Sequence, residues 1–294
     1  MNVSILIVTR GMSDGVVSLA DRLHTLLVAE TPPVTGEVLV IAEDPAVAVV
    51  SACELLECGA QLIRIPAKRG LGYNRNRALD AASGDVVIFV DDDCWPANDW
   101  LRELLCPFAD SGVDGVMGNV RIRPSTYLGD SISALGFPAG GSAGFAVMFP
   151  VDEAGFTTHL STLNCALRDS VFPQVGTFDE SMTAGAEDGE FSYRLTAAGL
   201  RVRFQPTALV DHEARASLTE FSRWFFRRGR AARQFSLRVP AGGTISRRLA
   251  SYRTIVWGNR RDAKIFAIVP LLVASVLLQQ AGFVWEMVTA TDER

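Results

Sequence analysis

Apolar and polar positions fall into alternating blocks over the first ninety residues. Positions 3–8 read Val-Ser-Ile-Leu-Ile-Val, a nearly unbroken apolar run that predicts a strand covered on both faces. Residues 16–29 then place Leu19, Leu23, Leu26 and Leu27 at helical spacing, and 38–41 return to a strand-like run. The rhythm continues through a helix at 46–58, a strand at 61–65, a helix at 73–82 and a strand at 86–90. This βαβ alternation predicts an α/β fold with a mostly parallel, Rossmann-like sheet and helices on both faces. Ligands of such sheets bind beyond the carboxyl ends of the strands.

The strand at 86–90 runs directly into Asp91, Asp92 and Asp93. Three adjacent carboxylates at a strand's carboxyl end repel one another, and they offer the oxygen ligands that a hard divalent cation, Mg²⁺ or Mn²⁺, prefers. A solvated acidic turn accounts for the same three residues.

Charge divides the chain unevenly. Net charge is −5, but residues 215–264 hold 13 Lys/Arg against Glu220 and Asp262, leaving the remainder strongly acidic. Within this stretch, 221–235 interleaves Phe221, Trp224, Phe225 and Phe226 with five arginines, the pattern of a basic amphipathic helix. Residues 265–285 follow without a charge, about long enough to cross a bilayer, which needs roughly 20 residues. Pro270 and the pair Gln279-Gln280 interrupt that run. The tail therefore predicts membrane contact, peripheral or tail-anchored at the inner face of the cell membrane, in preference to a nucleic-acid partner; a buried or dimer-forming helix is the alternative. Five cysteines without a CxxC pair predict neither a disulfide framework nor a zinc site. The first strand begins at once, without a charged leader, which predicts a cytoplasmic protein.

Two longer stretches carry a resemblance. KRGLGYNRNRALDAASGDVVIFVDDDC, 68–94, resembles the part of family 2 glycosyltransferases in which a glycine-containing loop and an ARN helix precede a strand and its DxD motif. Arg75 and Asn76 stand on the RN, with Asn74 where alanine is usual. VGTFDESMTAGAEDGEFSYRLTAAGLRVRFQPTALVDH, 175–212, resembles the same family's GGFDE and ED segments through to its terminal histidine. With the first strand, the likeness covers about residues 1–213.

The resemblance implies a GT-A fold and inverting, metal-dependent transfer of a sugar from a nucleoside-diphosphate sugar to an acceptor hydroxyl. Asp93 is then the direct metal ligand, Asp91 its partner at the metal or the ribose, and Asp92 a support, with His212 closing the coordination. Arg75, with Lys68 or Arg69, meets the diphosphate. Thr9, Arg10, Glu43 and Asp44 surround the nucleoside, an acid at 43 or 44 reaching the base of a UDP- or dTDP-linked donor. Here the chain departs from the family, because the usual DDGS reads AEDP and Pro45 removes a backbone donor. Asp188 takes the acceptor proton and Glu187 orients it or touches the acceptor; without the resemblance, both acids read as charges favoured at a helix N-terminus. Asn164 resembles a position near sugar or acceptor and reads equally well as a paired core amide. His24 and His159 read as structural. The glycine-rich stretch 136–149 suits a loop on the acceptor side, and nothing in the chain names the acceptor.

Three domains are expected: a GT-A domain at 1–213, a basic helical region at 214–263 and an apolar helix at 264–294. GLGYNR lacks the third glycine of a dinucleotide fingerprint. A phosphatase with a strand-end Asp nucleophile leaves Glu187, Asp188 and His212 unexplained. A nucleotidyltransferase making sugar nucleotides would need a glycine-rich basic loop after Val8, which is missing. A catalytically silent GT-A-like membrane adaptor is the alternative from another functional class.

Overall fold

The computed structural model describes residues 1–30, 34–43, 57–65, 68–136, 143–240 and 244–289. The strands in chain order are β1 (Asn2–Thr9), β2 (Thr35–Ala42), β3 (Ala60–Arg64), β4 (Val86–Asp91), β5 (Cys94–Pro96), β6 (Gly115–Ile122), β7 (Phe156–Thr157), β8 (Asn164–Arg168) and β9 (Val202–His212). The longer helices are α1 (Asp14–Ala29), α2 (Leu71–Ala81), α3 (Trp100–Leu105), α4 (Tyr127–Ser133), α5 (Ala143–Met148), α6 (Glu187–Ala197), α7 (Leu218–Ser236), α8 (Thr244–Asn259) and α9 (Ile265–Thr289). The helix expected at 46–58 lies almost wholly outside the described residues.

The strands form one sheet in the order β3-β2-β1-β4-β8-β6-β9-β5, with β7 paired to β9. Its first half is parallel: Leu6 stands opposite Leu39 on one side and Phe89 on the other. Val3, Ile5, Leu6 and Ile7 are all buried, as a strand covered on both faces requires. α1 packs through Val16, Leu19, Ala20, Leu23, Leu26 and Leu27, the helical stripe visible in the sequence. Beyond β4 the sheet turns antiparallel, β8 running against both β4 and β6. The sheet is therefore mixed, and the expectation of a mostly parallel one holds only where strand and helix alternate.

The antiparallel half is bracketed by one amide. Asn164 accepts from Trp100 Nε1 (2.9 Å) and donates to the carbonyls of Asn119 and Ala208 (2.9 Å each), tying β8 to its neighbour β6 and to β9, one strand further on. A Cβ at Gly118 would lie 2.3 Å from Asn164 Nδ2, so glycine is required there. Of the two readings left open for Asn164, the structure shows the paired core amide.

Residues 1–119, 152–181 and 187–211 make one compact unit; 120–151, 182–186 and 212–294 make a second. In the second, Ile132 of α4, Phe221 and Phe225 of α7 and Leu271 of α9 form a core, with Leu128, Leu135, Trp224 and Leu278 packed against it. Ser217 caps α7, its hydroxyl accepting from Thr219 N and Glu220 N. α7 and α9 touch backbone to backbone: a Cβ on Gly229 would stand 2.0 Å from Gln279 O, and one on Gly282 2.0 Å from Phe226 O. α9 buries Ile268, Leu271, Ser275, Gln279, Gly282 and Glu286 and exposes Phe266, Val269, Val273, Leu277, Val284 and Val288. The two sets alternate at three and four residues, so they occupy opposite faces.

Candidate active site

β1 and β4 are adjacent and parallel, so their carboxyl ends open side by side. Thr9 ends β1 buried, and its hydroxyl donates to Asp92 Oδ2 at 2.5 Å; Arg10 beside it is exposed. Asp91, Asp92 and Asp93 are each half-buried at the end of β4.

α2 faces this turn with polar side chains, burying Asn74, Arg75 and Asn76 together with Gly72 and Ala78. Arg75 is 4% exposed. Its guanidinium donates to Glu187 and stands 3.9 Å from Asp91 Oδ1. Burial alone would depress the guanidinium, but Glu187, Asp91 and Asp188 outweigh it and hold Arg75 above its ordinary value. The same burial pushes the Glu187 carboxyl up; Arg75 pulls it back and Asp188 adds to the rise. The second oxygen of Glu187, Oε2, is buried without a hydrogen-bond partner among the described residues. Asp188, next along α6, is half-buried, with Oδ1 accepting from Gly189 N at 2.8 Å.

The loop before α2 is fixed from β2. Glu43, buried just past β2, accepts from Arg69 N (2.5 Å) and Gly70 N (3.1 Å) through Oε1, while Gly70 takes φ +99°, which glycine adopts freely. Lys68 and Arg69 are exposed on that loop. The structure thus gives Glu43 a loop-holding contact that the sequence did not suggest; Asp44 lies outside the described residues.

Two further brackets hold the FDE segment. Asn76 donates to Phe178 O and Glu180 Oε1 and accepts from Phe178 N, all at 2.9 Å. Arg194, paired with Glu190 at 2.7 Å, donates to the carbonyls of Val175 and Thr177. Sequence reasoning passed over Glu190 and Arg194, although their i, i+4 spacing within the ED segment was a usable signal.

His212 ends β9, which neighbours β5 in the sheet. Its Nδ1 lies 2.8 Å from Glu213 O; with the proton on Nδ1, that contact is a donated bond and Nε2 keeps its lone pair. Of the other histidines, His159 is buried, and His24 fills the space that a Cβ on Gly59 would need. Cys94, next to the acidic turn, is buried, and burial followed by the charges of Asp91, Asp93 and Asp92 holds its thiol well above the ordinary value.

Comparison with known proteins decides the family. The profile described as "Glycosyl transferase family group 2" matches residues 86–291, more than half of the chain, and that described as "Glycosyl transferase family 2" matches residues 37–133. The chain belongs to the family 2 glycosyltransferases. The pre-mycofactocin glycosyltransferase of Mycobacterium tuberculosis is 30% identical over 187 residues, 62% of this chain and 38% of that protein. The succinoglycan biosynthesis protein ExoM of Rhizobium meliloti is 32% identical over 160 residues, 53% of this chain and 49% of that protein. The match spans less than half the length of each of these curated relatives. Among solved structures, the mannosyltransferase PcManGT of Pyrobaculum calidifontis, in complex with GDP-Man and Mn²⁺, superposes with a TM-score of 0.58 at 17% identity, over 98% of this chain and 84% of that one. S. aureus TarS 1–349, in complex with UDP-GlcNAc, gives 0.56 at 15%, over 87% and 71%. At such identities the likeness is one of fold, and this family 2 glycosyltransferase has the GT-A architecture.

Proposed function

We propose that this glycosyltransferase moves a sugar, with inversion, from a UDP- or dTDP-linked donor to the hydroxyl of a lipid-linked or membrane-adjacent acceptor. The observation that carries the proposal is Arg75, a buried cation that contacts Glu187 and lies beside Asp91, so that it joins the DDD turn to the ED segment. In this scheme Asp91, Asp92, Thr9, Arg10 and the acids at 43 and 44 serve the donor, and exposed Lys68 and Arg69 meet its phosphates. Arg75 is too enclosed to wrap a phosphate and acts by orienting Asp91 and Glu187.

The residues suit a hard divalent cation. Three carboxylates in one turn supply oxygen donors, and one ligand atom each of Asp93, Cys94 and His212 lie within 4.8 Å of one another. Asp91, Asp93 and His212 would hold the ion, which when bound supplies positive charge against the leaving diphosphate. The Mn²⁺ of PcManGT supports the same choice.

Asp188 removes the proton from the acceptor hydroxyl as its oxygen bonds to the anomeric carbon and the carbon–oxygen bond to the diphosphate breaks. A half-buried carboxylate reachable from outside suits that role better than the enclosed Glu187. The membrane-adjacent acceptor is supported by the exposed apolar face of α9 and by the surplus of arginine in the tail. Among the described residues α9 is the helix long and apolar enough to cross a membrane, but its buried face carries Glu286, Gln279 and Ser275, and we favour a helix lying along the bilayer surface.

Two variants test the scheme. Asp188→Asn is expected to keep the donor dissociation constant and melting temperature while lowering transfer on the order of 10²- to 10⁴-fold. An active but less stable Asp188→Asn protein would show a helix-end charge instead. Asp93→Ala is expected to lose Mn²⁺-dependent stabilisation by UDP, dTDP or GDP in a thermal-shift panel with the sheet intact; unchanged metal dependence would refute the ligand assignment.

A further inference from the structure

The residues just before the proposed base are held by the tail helices. Gln234 of α7 is buried, and its Oε1 accepts from Ala184 N at 3.1 Å while its Nε2 lies 3.4 Å from Thr183 Oγ1. Nε2 also donates to Glu286 of α9, whose other oxygen accepts from Arg230 Nε at 2.6 Å. Glu286 is itself buried. The carboxylate can only accept, so it fixes which end of the Gln234 amide faces Ala184.

The chain then turns through Gly185 at φ +113° and Ala186 at φ +66° to reach Glu187. Ala186 is the single non-glycine residue at positive φ among the described residues. An alanine holds that conformation only when its surroundings over-determine it. The hydrogen bonds from Gln234 reach this segment at Thr183 and Ala184, three and two residues before Ala186.

We infer that Gln234, oriented by Glu286 and Arg230, is a positioning residue for the transfer reaction: it locks the 183–186 turn and thereby sets where Glu187 and Asp188 begin α6. The inference rests on the assignment of Asp188 as the base. It gives the tail helices a part in the chemistry besides any contact with a membrane.

Gln234→Met, nearly isosteric but unable to make these bonds, tests it in the full-length chain. Turnover is followed as nucleoside diphosphate released from UDP-glucose, UDP-GlcNAc or GDP-mannose, whichever the wild type consumes. The expected result is a fall in kcat on the order of 10- to 100-fold with the donor KM within about twofold. Adding Ala186→Gly, which removes the Cβ penalty at positive φ, should restore about fivefold or more of the loss, a rescue that a purely structural glutamine would not show. Amide exchange gives a readout independent of turnover: Gln234→Met should speed exchange at Glu187, Asp188 and Gly189 as well as at Ala184. Unchanged kcat in a folded Gln234→Met protein, or faster exchange at Ala184 alone, would overturn the inference. Should that variant fail to fold, Glu286→Gln leaves Gln234 in place and should produce the same pattern at smaller amplitude; a wild-type kcat there counts against the inference. Asp188→Asn, assayed alongside, keeps the two claims apart: activity in that variant refutes the base, whereas an inactive Asp188→Asn beside a fully active Gln234→Met refutes only the positioning role.

Discussion

Arg75 and Glu187 show how a charge that sequence places on a surface can be committed to the interior. Both are almost fully enclosed, and removing one partner of a buried pair typically costs about 3–5 kcal/mol because the other charge stays behind. Arg75→Ala is therefore expected to lose about that much stability at pH 7 in urea denaturation. Part of the loss should return as pH falls, because an isolated buried carboxyl takes up a proton readily, and Arg75→Ala with Glu187→Gln should be more stable than Arg75→Ala alone. In the wild type the sign is the same: Glu187 sits above its unfolded value of 4.5. Its contribution to stability rises as pH drops from neutral through the folded pKa and levels off below 4.5. A wild-type stability that fell through this window at Glu187 and did not in Glu187→Gln would contradict it. The DDD and ED carboxylates were legible in the chain as motifs. The backbone contacts of Glu43, Gln234 and Arg194 were not, because each reaches a group that only folding brings near.

At the scale of elements, the α7–α9 crossing depends on two glycines whose spacing carries no obvious sequence signature. Gly229→Ala or Gly282→Ala would place a methyl 2.0 Å from a carbonyl oxygen, and backbone cannot give way as a flexible side chain would. Overpacking of this kind costs about 1–3 kcal/mol or more, so each variant should melt several degrees lower, and the double variant lower again. An unchanged melting temperature would show that the helices separate without penalty. The paired strands and α1 were readable from periodicity, since strand burial and helical stripes are local patterns. α2 was readable as a helix but not as a buried one, because its inward face is Asn74, Arg75 and Asn76, a polarity that only partners from other segments can satisfy.

For the molecule as a whole, the apolar face of α9 and the exposed Leu249 and Trp257 of α8 are expected to bind anionic vesicles. Phe266→Ser with Leu277→Ser should reduce flotation with phosphatidylserine-containing liposomes, and raised salt should weaken the arginine-driven part alone. Vesicle binding unaffected by both changes would dismiss the surface. Truncation after residue 213 is a poorer test, because it strips Phe221, Phe225 and Leu271 from Ile132 and its neighbours. The expected result is aggregation, not clean release.

By itself, the sequence determined the βαβ opening, the strand-end acids, the ED segment and the division between an acidic body and a basic, apolar tail. These are properties of neighbouring residues or of periodic patterns, and they survive in one dimension. Only the tertiary structure decided that the sheet turns antiparallel after β4, that Arg75 is enclosed between acids 16 and 112 residues away, and that the residues leading to Asp188 are held by Gln234. Strand direction, desolvation and the pairing of buried polar groups depend on which distant segments meet, and no local pattern encodes that.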